Sequence, residues 1–271
     1  MHGKSRRIKK ERLGKMEIKA AKLYENYVFD LYGTLVDIHT KEWDSEVWEK
    51  LALFYGYYGA LYTPGELEES YQAIIKGCES VKKSELEAQP QYAHEAFPEI
   101  QIERVFGELF EKKGVQADEA LSIHAGQFFR VLSTEYVRMY EGVPEMLQAI
   151  HAKGKKVYLL SNAQRIFTEY EMNLLDISKY FDGILISSEY GTRKPDIRFY
   201  EILLSKYDLK PEDCIMIGND VANDIHGAKE VGMDTYYIHS NISPECKGTP
   251  DATYYQMEMD IAQVCSRLGL S

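Results

Sequence analysis

The chain is 271 residues long, 45% hydrophobic and 28% charged, a composition that excludes a disordered or fibrous protein and suits one large domain or a core with a smaller module. Its net charge of −11 hides an asymmetry, because residues 1–22 hold nine Lys/Arg against two Glu and the remainder carries −18. An acidic body without a basic stripe argues against nucleic acid as the main ligand, and the absence of an apolar run of roughly 18 residues or of a signal-peptide core argues against a membrane span and for a cytoplasmic protein.

The basic arm, residues 1–24, mixes Lys and Arg with Ile8, Leu13, Ile18, Ala21 and Leu23 in a loose helical pattern and reads as a solvated leader. Tyr27-Val28-Phe29 predicts a short buried strand ending at Asp30, and Gly33 lets the backbone turn at once. From about 42 to 137 almost no strand signal is present. Trp43, Val47, Trp48, Leu51, Phe54 and Tyr55 recur at three and four, as do Ile102, Val105, Phe106, Leu109 and Phe110, and then Phe128, Val131, Leu132 and Tyr136. Pro64 and Pro98, each followed by acidic residues, predict helix starts. Residues 41–139 are thus expected to form a module of four or five helices. After Gly142-Val143-Pro144 the pattern changes. A helix over 144–153 leads to strand Lys156–Leu160, which ends at Ser161-Asn162, and a helix over 163–174 leads to strand Gly183–Ile186. Lys194-Pro195 opens a helix over 196–207, strand Cys214–Ile217 ends at Gly218-Asn219-Asp220, and helix 222–231 precedes strand Thr235–Ile238. Repeated strand–helix units with short connections predict an α/β fold: a Rossmann-like three-layer α/β/α core with a parallel sheet, built from residues 25–40 and 140–271.

In an open parallel sheet, ligands bind beyond the carboxyl ends of the strands. The polar residues following the predicted strands are Asp30 and Thr34, Ser161 and Asn162, and Asn219, Asp220 and Asp224; Lys194 comes from the loop before a helix. Each alone has a bland reading: a strand-end Asp is commonly a turn or cap residue, Lys-Pro a helix start, and Ser-Asn a helix cap. Four such elements in order, each at its own strand, bring a carboxylate, hydroxyls, a cation and further carboxylates to one edge.

That order and those residues resemble the haloacid dehalogenase-like hydrolase superfamily. The resemblance covers residues 27–38 and 142–240, with Asp30-Leu31-Tyr32-Gly33-Thr34 as first motif, Ser161 as second, Lys194-Pro195 as third and Gly218-Asn219-Asp220-Val221-Ala222-Asn223-Asp224 as fourth. The helical insert falls where the superfamily places its type-1 cap. The resemblance implies that Asp30 attacks an electrophile to form a covalent intermediate, which water then hydrolyses. It further implies that Ser161 and the Asn162 amide bind oxygens of the transferring group and that Lys194 neutralises charge. In the superfamily's phosphatases Mg²⁺ is held by the equivalents of Asp30, the Tyr32 carbonyl, and Asp220 or Asp224, a hard-oxygen set suited to that ion.

Two departures bear on the reaction. Phosphatases of the superfamily carry a second aspartate where this chain has Tyr32. That acid protonates the leaving alkoxide, work worth about 10²–10⁴ in rate, and tyrosine with a pKa near 10 replaces it poorly. Tyrosine there resembles the 2-haloacid dehalogenases, whose halide leaving group needs no proton. The fourth motif points the other way, since Asp220 and Asp224 give the Asp-x-x-x-Asp spacing of metal-dependent phosphatases, although an ungapped alignment puts Asn219 at the metal carboxylate. A dehalogenase also needs a cap arginine for halide. Residues 65–77 contain none, while Arg104, Arg130 and Arg138 lie further on. The expectation is a Mg²⁺-dependent phosphatase acting on a small phosphorylated metabolite, with a metal-independent dehalogenase and a non-catalytic binding protein of the same fold as alternatives. His39, His226, Arg165 and Arg193 read as surface or loop groups, and Tyr55, Tyr57, Tyr58 and Tyr62 as packing between helices. Four scattered cysteines with no Cys-x-x-Cys pair read as free thiols, and nothing in the sequence specifies an oligomeric state.

Overall fold

A computed structural model describes residues 23–92 and 94–270; the basic leader and its helical pattern, up to residue 22, lie outside the described residues. In chain order the elements begin with β1 (Asn26–Phe29) and β2 (Val36–Thr40), then α1 (Ser45–Tyr57), α2 (Pro64–Glu87), α3 (Ile102–Glu111) and α4 (Glu119–Ser133). They continue with β3 (Thr134–Met139), α5 (Val143–Ala152), β4 (Lys156–Ser161), α6 (Arg165–Leu174), β5 (Gly183–Ile186), α7 (Ile197–Tyr207) and β6 (Cys214–Gly218). A π-helical turn, Val221–His226, runs into α8 (Gly227–Glu230), followed by β7 (Asp234–Ile238), β8 (Tyr254–Gln256) and α9 (Ile261–Arg267).

Among the described residues six strands pair in parallel in the order β5-β4-β1-β6-β7-β8. The strands are apolar almost throughout because both faces of the sheet are covered. Side chains alternate between the faces. Tyr27, Phe29, Val157, Leu159, Ile215 and Ile217 join Met146 and Leu147 of α5 and Val264 of α9 in one core. Val28, Tyr158, Leu160, Cys214 and Met216 join Phe199, Tyr200 and Leu203 of α7 in the other. Each fully buried Leu, Ile or Phe stabilises this arrangement by about 1.5–3 kcal/mol relative to exposure. The fold is therefore the expected α/β/α sandwich, with β1 central, so that whatever follows Phe29 emerges at the middle of the sheet's carboxyl edge.

α1 to α4 bury a separate apolar cluster, with Trp48, Leu51, Tyr55, Phe106, Phe110 and Phe129 at its centre. Pro64 begins α2 as expected, with Thr63 as its N-cap. Pro98 does not begin a helix. Its segment is held extended by Glu99 N–H donating to Gly191 O and Arg193 N–H donating to Phe97 O, and α3 starts at Ile102. The third apolar run also divides. α4 stops at Ser133, where the Thr134 hydroxyl donates to Arg130 O at 2.7 Å, and Tyr136 lies in β3, paired antiparallel with β2. These two strands form the ribbon by which the chain enters and leaves the helices. Strand β8 and helix α9 have no counterpart in the sequence-based expectation.

Candidate active site

Asp30 follows β1 directly, and its N–H still donates to Ile217 O at 3.0 Å, so sheet pairing fixes the backbone that carries its carboxylate. Lys194 is 1% exposed, and its Nζ lies 2.7 Å from Asp30 Oδ1 and 2.7 Å from Asp224 Oδ1. The lysine is aimed by Asn162, whose side chain brackets its backbone: Lys194 N–H donates to Asn162 Oδ1 and Asn162 Nδ2 donates to Lys194 O, both at 2.8 Å. Asn162 thus fixes the cation with its side chain. The Ser161 hydroxyl, at the end of the neighbouring strand β4, is buried and has no hydrogen-bond partner among the described residues. A buried hydroxyl without a partner is costly, and it is satisfied when a ligand oxygen arrives.

Thr34 spans two elements, its Oγ1 lying 3.4 Å from Asp30 Oδ2 and 3.3 Å from Asn219 Oδ1. This contact requires glycine at 33, which has φ +85° and where a Cβ would stand 2.2 Å from Asn219 Nδ2. Gly218 serves Asp224 in the same way, since a Cβ there would stand 2.2 Å from Asp224 Oδ2. Asp224 is held by the Asp220 N–H, which donates to its Oδ2 at 2.9 Å. Asp220, expected as a metal ligand, turns elsewhere. Its carboxylate caps the π-helical turn, accepting from the N–H groups of Ala222 and Asn223 and from Asn223 Nδ2. The residue of the fourth motif linked through Thr34 to Asp30 is Asn219.

The Tyr32 side chain leaves this cluster for α6. Its hydroxyl donates to the Glu171 carboxylate and lies 3.1 Å from the Thr168 hydroxyl. Glu171 also receives Arg130 from α4, with Nε at 2.6 Å from Oε1 and Nη2 at 3.2 Å from Oε2. Burial and the Glu171 charge raise the Tyr32 phenol above its usual range, so its proton is retained. The sequence carries no local signal for this network, whose members lie up to 139 residues apart. Of the arginines considered as halide acceptors, Arg130 is committed to Glu171, Arg138 pairs with Asp37, and Arg104 lines a groove of about 670 Å³ beside α2 and α3 that none of the strand-end residues enters. His39 pairs with Glu135, away from Asp30. A smaller cavity of about 290 Å³ opens beside the site and is lined by Tyr32 and Asn162.

The buried triad holds two carboxyl groups and one ammonium. Burial acts to lower Lys194, but the charges of Asp224 and Asp30 outweigh it and hold the ammonium above its usual range. One cation cannot neutralise both acids. Burial therefore pushes Asp224 up to about 7, with Lys194 opposing and Asp30 adding to the rise. An acid raised in the folded state stabilises the fold most below its unfolded value, near 4, and loses that contribution as pH rises through its folded value. In EDTA, the stability of the protein is accordingly expected to fall between about pH 4 and pH 7, and Asp224→Asn is expected to flatten this fall in denaturant titrations. An unchanged slope in the variant would show that the proton sits elsewhere.

The donor chemistry suits a hard cation. Asp30 and Asp224 supply carboxylate oxygens and Asn219 Oδ1 a neutral one, and Mg²⁺ commonly uses one or two carboxylates with waters and substrate phosphate. Among the described residues no group of three His, Cys, Asp or Glu side chains is disposed to hold an ion, so the set is sparse. Among the described residues no helix is long and apolar enough to cross a membrane.

Known proteins resemble this chain in sequence and in fold. The chain is 31% identical over 107 residues, 40% of its length and 47% of the relative's, to a glyceraldehyde 3-phosphate phosphatase of Methanothermobacter thermautotrophicus. It is 27% identical over 143 residues, 53% of its length and 56% of the relative's, to a phosphoserine phosphatase of Thermus thermophilus. The chain thus spans about half the length of the curated relatives it matches. A 2-haloacid dehalogenase from Pseudomonas syringae pv. Tomato DC3000 shares the fold at 20% identity, with a TM-score of 0.60 over 91% of this chain and 99% of that one. Residues 24–232 match the haloacid dehalogenase-like hydrolase family, and the chain belongs to it.

Proposed function

We propose that the protein hydrolyses a small phosphate monoester through an aspartyl-phosphate on Asp30, with Mg²⁺ as cofactor and α1 to α4, with their flanking loops over residues 41–139, as a cap over the site. The observation that carries this reading is the pairing of Asp30 with a buried lysine beside an unpartnered Ser161 hydroxyl. It is a nucleophile with a ready binding place for a phosphoryl oxygen. Relatives named as phosphatases agree with it.

In the proposed reaction an Asp30 oxygen attacks phosphorus and the ester oxygen departs with the bonding pair. Water then attacks the acyl phosphate, releasing phosphate and restoring the carboxylate. Lys194 balances the charge on Asp30 and the phosphoryl oxygens, Ser161 donates to one of those oxygens, and Asn162 positions Lys194. Asp30, Asp224, Asn219 Oδ1 and the Tyr32 carbonyl would supply the oxygens for Mg²⁺, which when bound would neutralise further phosphoryl charge. Asp224 holds Lys194 in place.

Tyr32 cannot serve as the missing acid, because its proton is committed to Glu171. Aryl and acyl phosphates, whose leaving groups need no proton, are expected to react in single turnover about 10²–10⁴ times faster than alkyl phosphates. A screen of both classes with and without Mg²⁺ tests the assignment. Equal single-turnover rates for aryl and alkyl esters would overturn the role given to Tyr32.

A further inference from the structure

The cavity of about 290 Å³ beside the site has a distinctive charge balance. Its lining includes Tyr32, two residues after Asp30, and Asn162, whose side chain brackets Lys194, so it adjoins the Asp30 cluster. Its walls are aromatic, from Tyr71, Phe129 and Phe167. Its volume lies at the low end for ligand sites, which limits the occupant to a small molecule.

Three charged side chains meet here: Arg130 and Glu42 line the cavity, and Glu171 bonds Arg130 without lining it. Arg130 places two nitrogens on Glu171, and Glu171 is further satisfied by the Tyr32 hydroxyl. These two charges cancel. Glu42 is the third, and among the described residues its partner is Arg130 Nη1 at 3.5 Å, at the limit of a hydrogen bond. Its side chain is 34% exposed and lines the cavity. The wall therefore carries one carboxylate in excess, in a half-enclosed space among aromatic rings. Burial raises the Glu42 carboxyl above its usual range, Arg130 opposes the rise, and Glu171 adds to it.

We propose that this cavity receives the alcohol portion of the phosphate ester, and that Glu42 with the surrounding aromatic rings selects alcohols bearing an ammonium group. The proposal rests on the phosphatase reading above. An ammonium ion is attracted both to the carboxylate and to aromatic faces, and that attraction strengthens where water is partly excluded. An anionic leaving group would instead face Glu42, and would find Arg130 already bonded to Glu171 through two of its nitrogens.

The test compares kcat/KM for O-phosphoethanolamine and ethyl phosphate, which are alike in size and differ in the ammonium group. p-Nitrophenyl phosphate, with Asp30→Asn as control, reports on the underlying reaction. The wild-type protein is expected to prefer the ammonium ester by about tenfold, and Glu42→Gln to bring the ratio close to one. Because the ratio is taken within one protein, partial loss of folded variant cancels. The wild-type comparison also stands without the variant. Asp30-dependent hydrolysis of p-nitrophenyl phosphate with no ammonium preference, or a preference that survives Glu42→Gln, would overturn the proposal and leave the phosphatase reading intact. Absence of Asp30-dependent hydrolysis would overturn both.

Discussion

Asp30→Asn is expected to lower turnover of any phosphate ester by at least about 10³-fold, the scale on which removal of a covalent nucleophile acts, without lowering thermal stability. The two expectations follow from the same contacts. Asparagine keeps the size of the side chain and can still meet Lys194, but its amide cannot form the acyl phosphate. It also removes one of two buried carboxyl groups that share a single ammonium. Lys194 is then matched one to one by Asp224, so the charge balance of the site improves. The measurements are single-turnover hydrolysis of an aryl phosphate and a melting curve for each protein. Retained activity with normal stability would remove Asp30 from the role of nucleophile; a large drop in melting temperature would show that Asp30 is needed for folding as well.

Lys194→Met is expected to act on stability and activity together. The lysine is fully enclosed, and both of its partners are buried acids. Taking it away leaves uncompensated charge in the interior, which costs about 3–5 kcal/mol when a buried pair is broken from one side. The loss should be greater at pH 8 than at pH 5, because Asp224, with its carboxyl pushed up to about 7, is protonated at the lower pH and then needs no partner. Adding Asp224→Asn to Lys194→Met should recover much of the stability at pH 8 and none of the activity, since no cation remains to balance the attacking carboxylate. Urea titrations at the two pH values decide this. A single variant as stable as the wild type at pH 8 would mean that the three side chains do not form the charge cluster that the 2.7 Å contacts imply.

The sequence by itself determined five of the sheet's six strands, most of the helices and the strand-end residues. Apolar strands bounded by turn residues, alternating with helical periodicity, are local patterns, and a parallel sheet necessarily collects the ends of its strands at one edge. Asp30, Ser161 and Asp224 could therefore be named before their contacts were known, and Lys194 with them from the loop before its helix. The tertiary structure decided what each does there. Asp220 and Asn219 are adjacent in sequence, yet one caps the π-helical turn and the other meets Thr34, because the chain's direction after β6 turns one side chain to the helix and the other to β1. Tyr32 was legible as a departure from an acid, but its engagement with Glu171 and Arg130 depends on α4 packing over α6. Strand β3 was read as helix for the same reason: its pairing partner, β2, lies about a hundred residues earlier, and only the closed ribbon supplies the hydrogen bonds that make Tyr136 part of a strand.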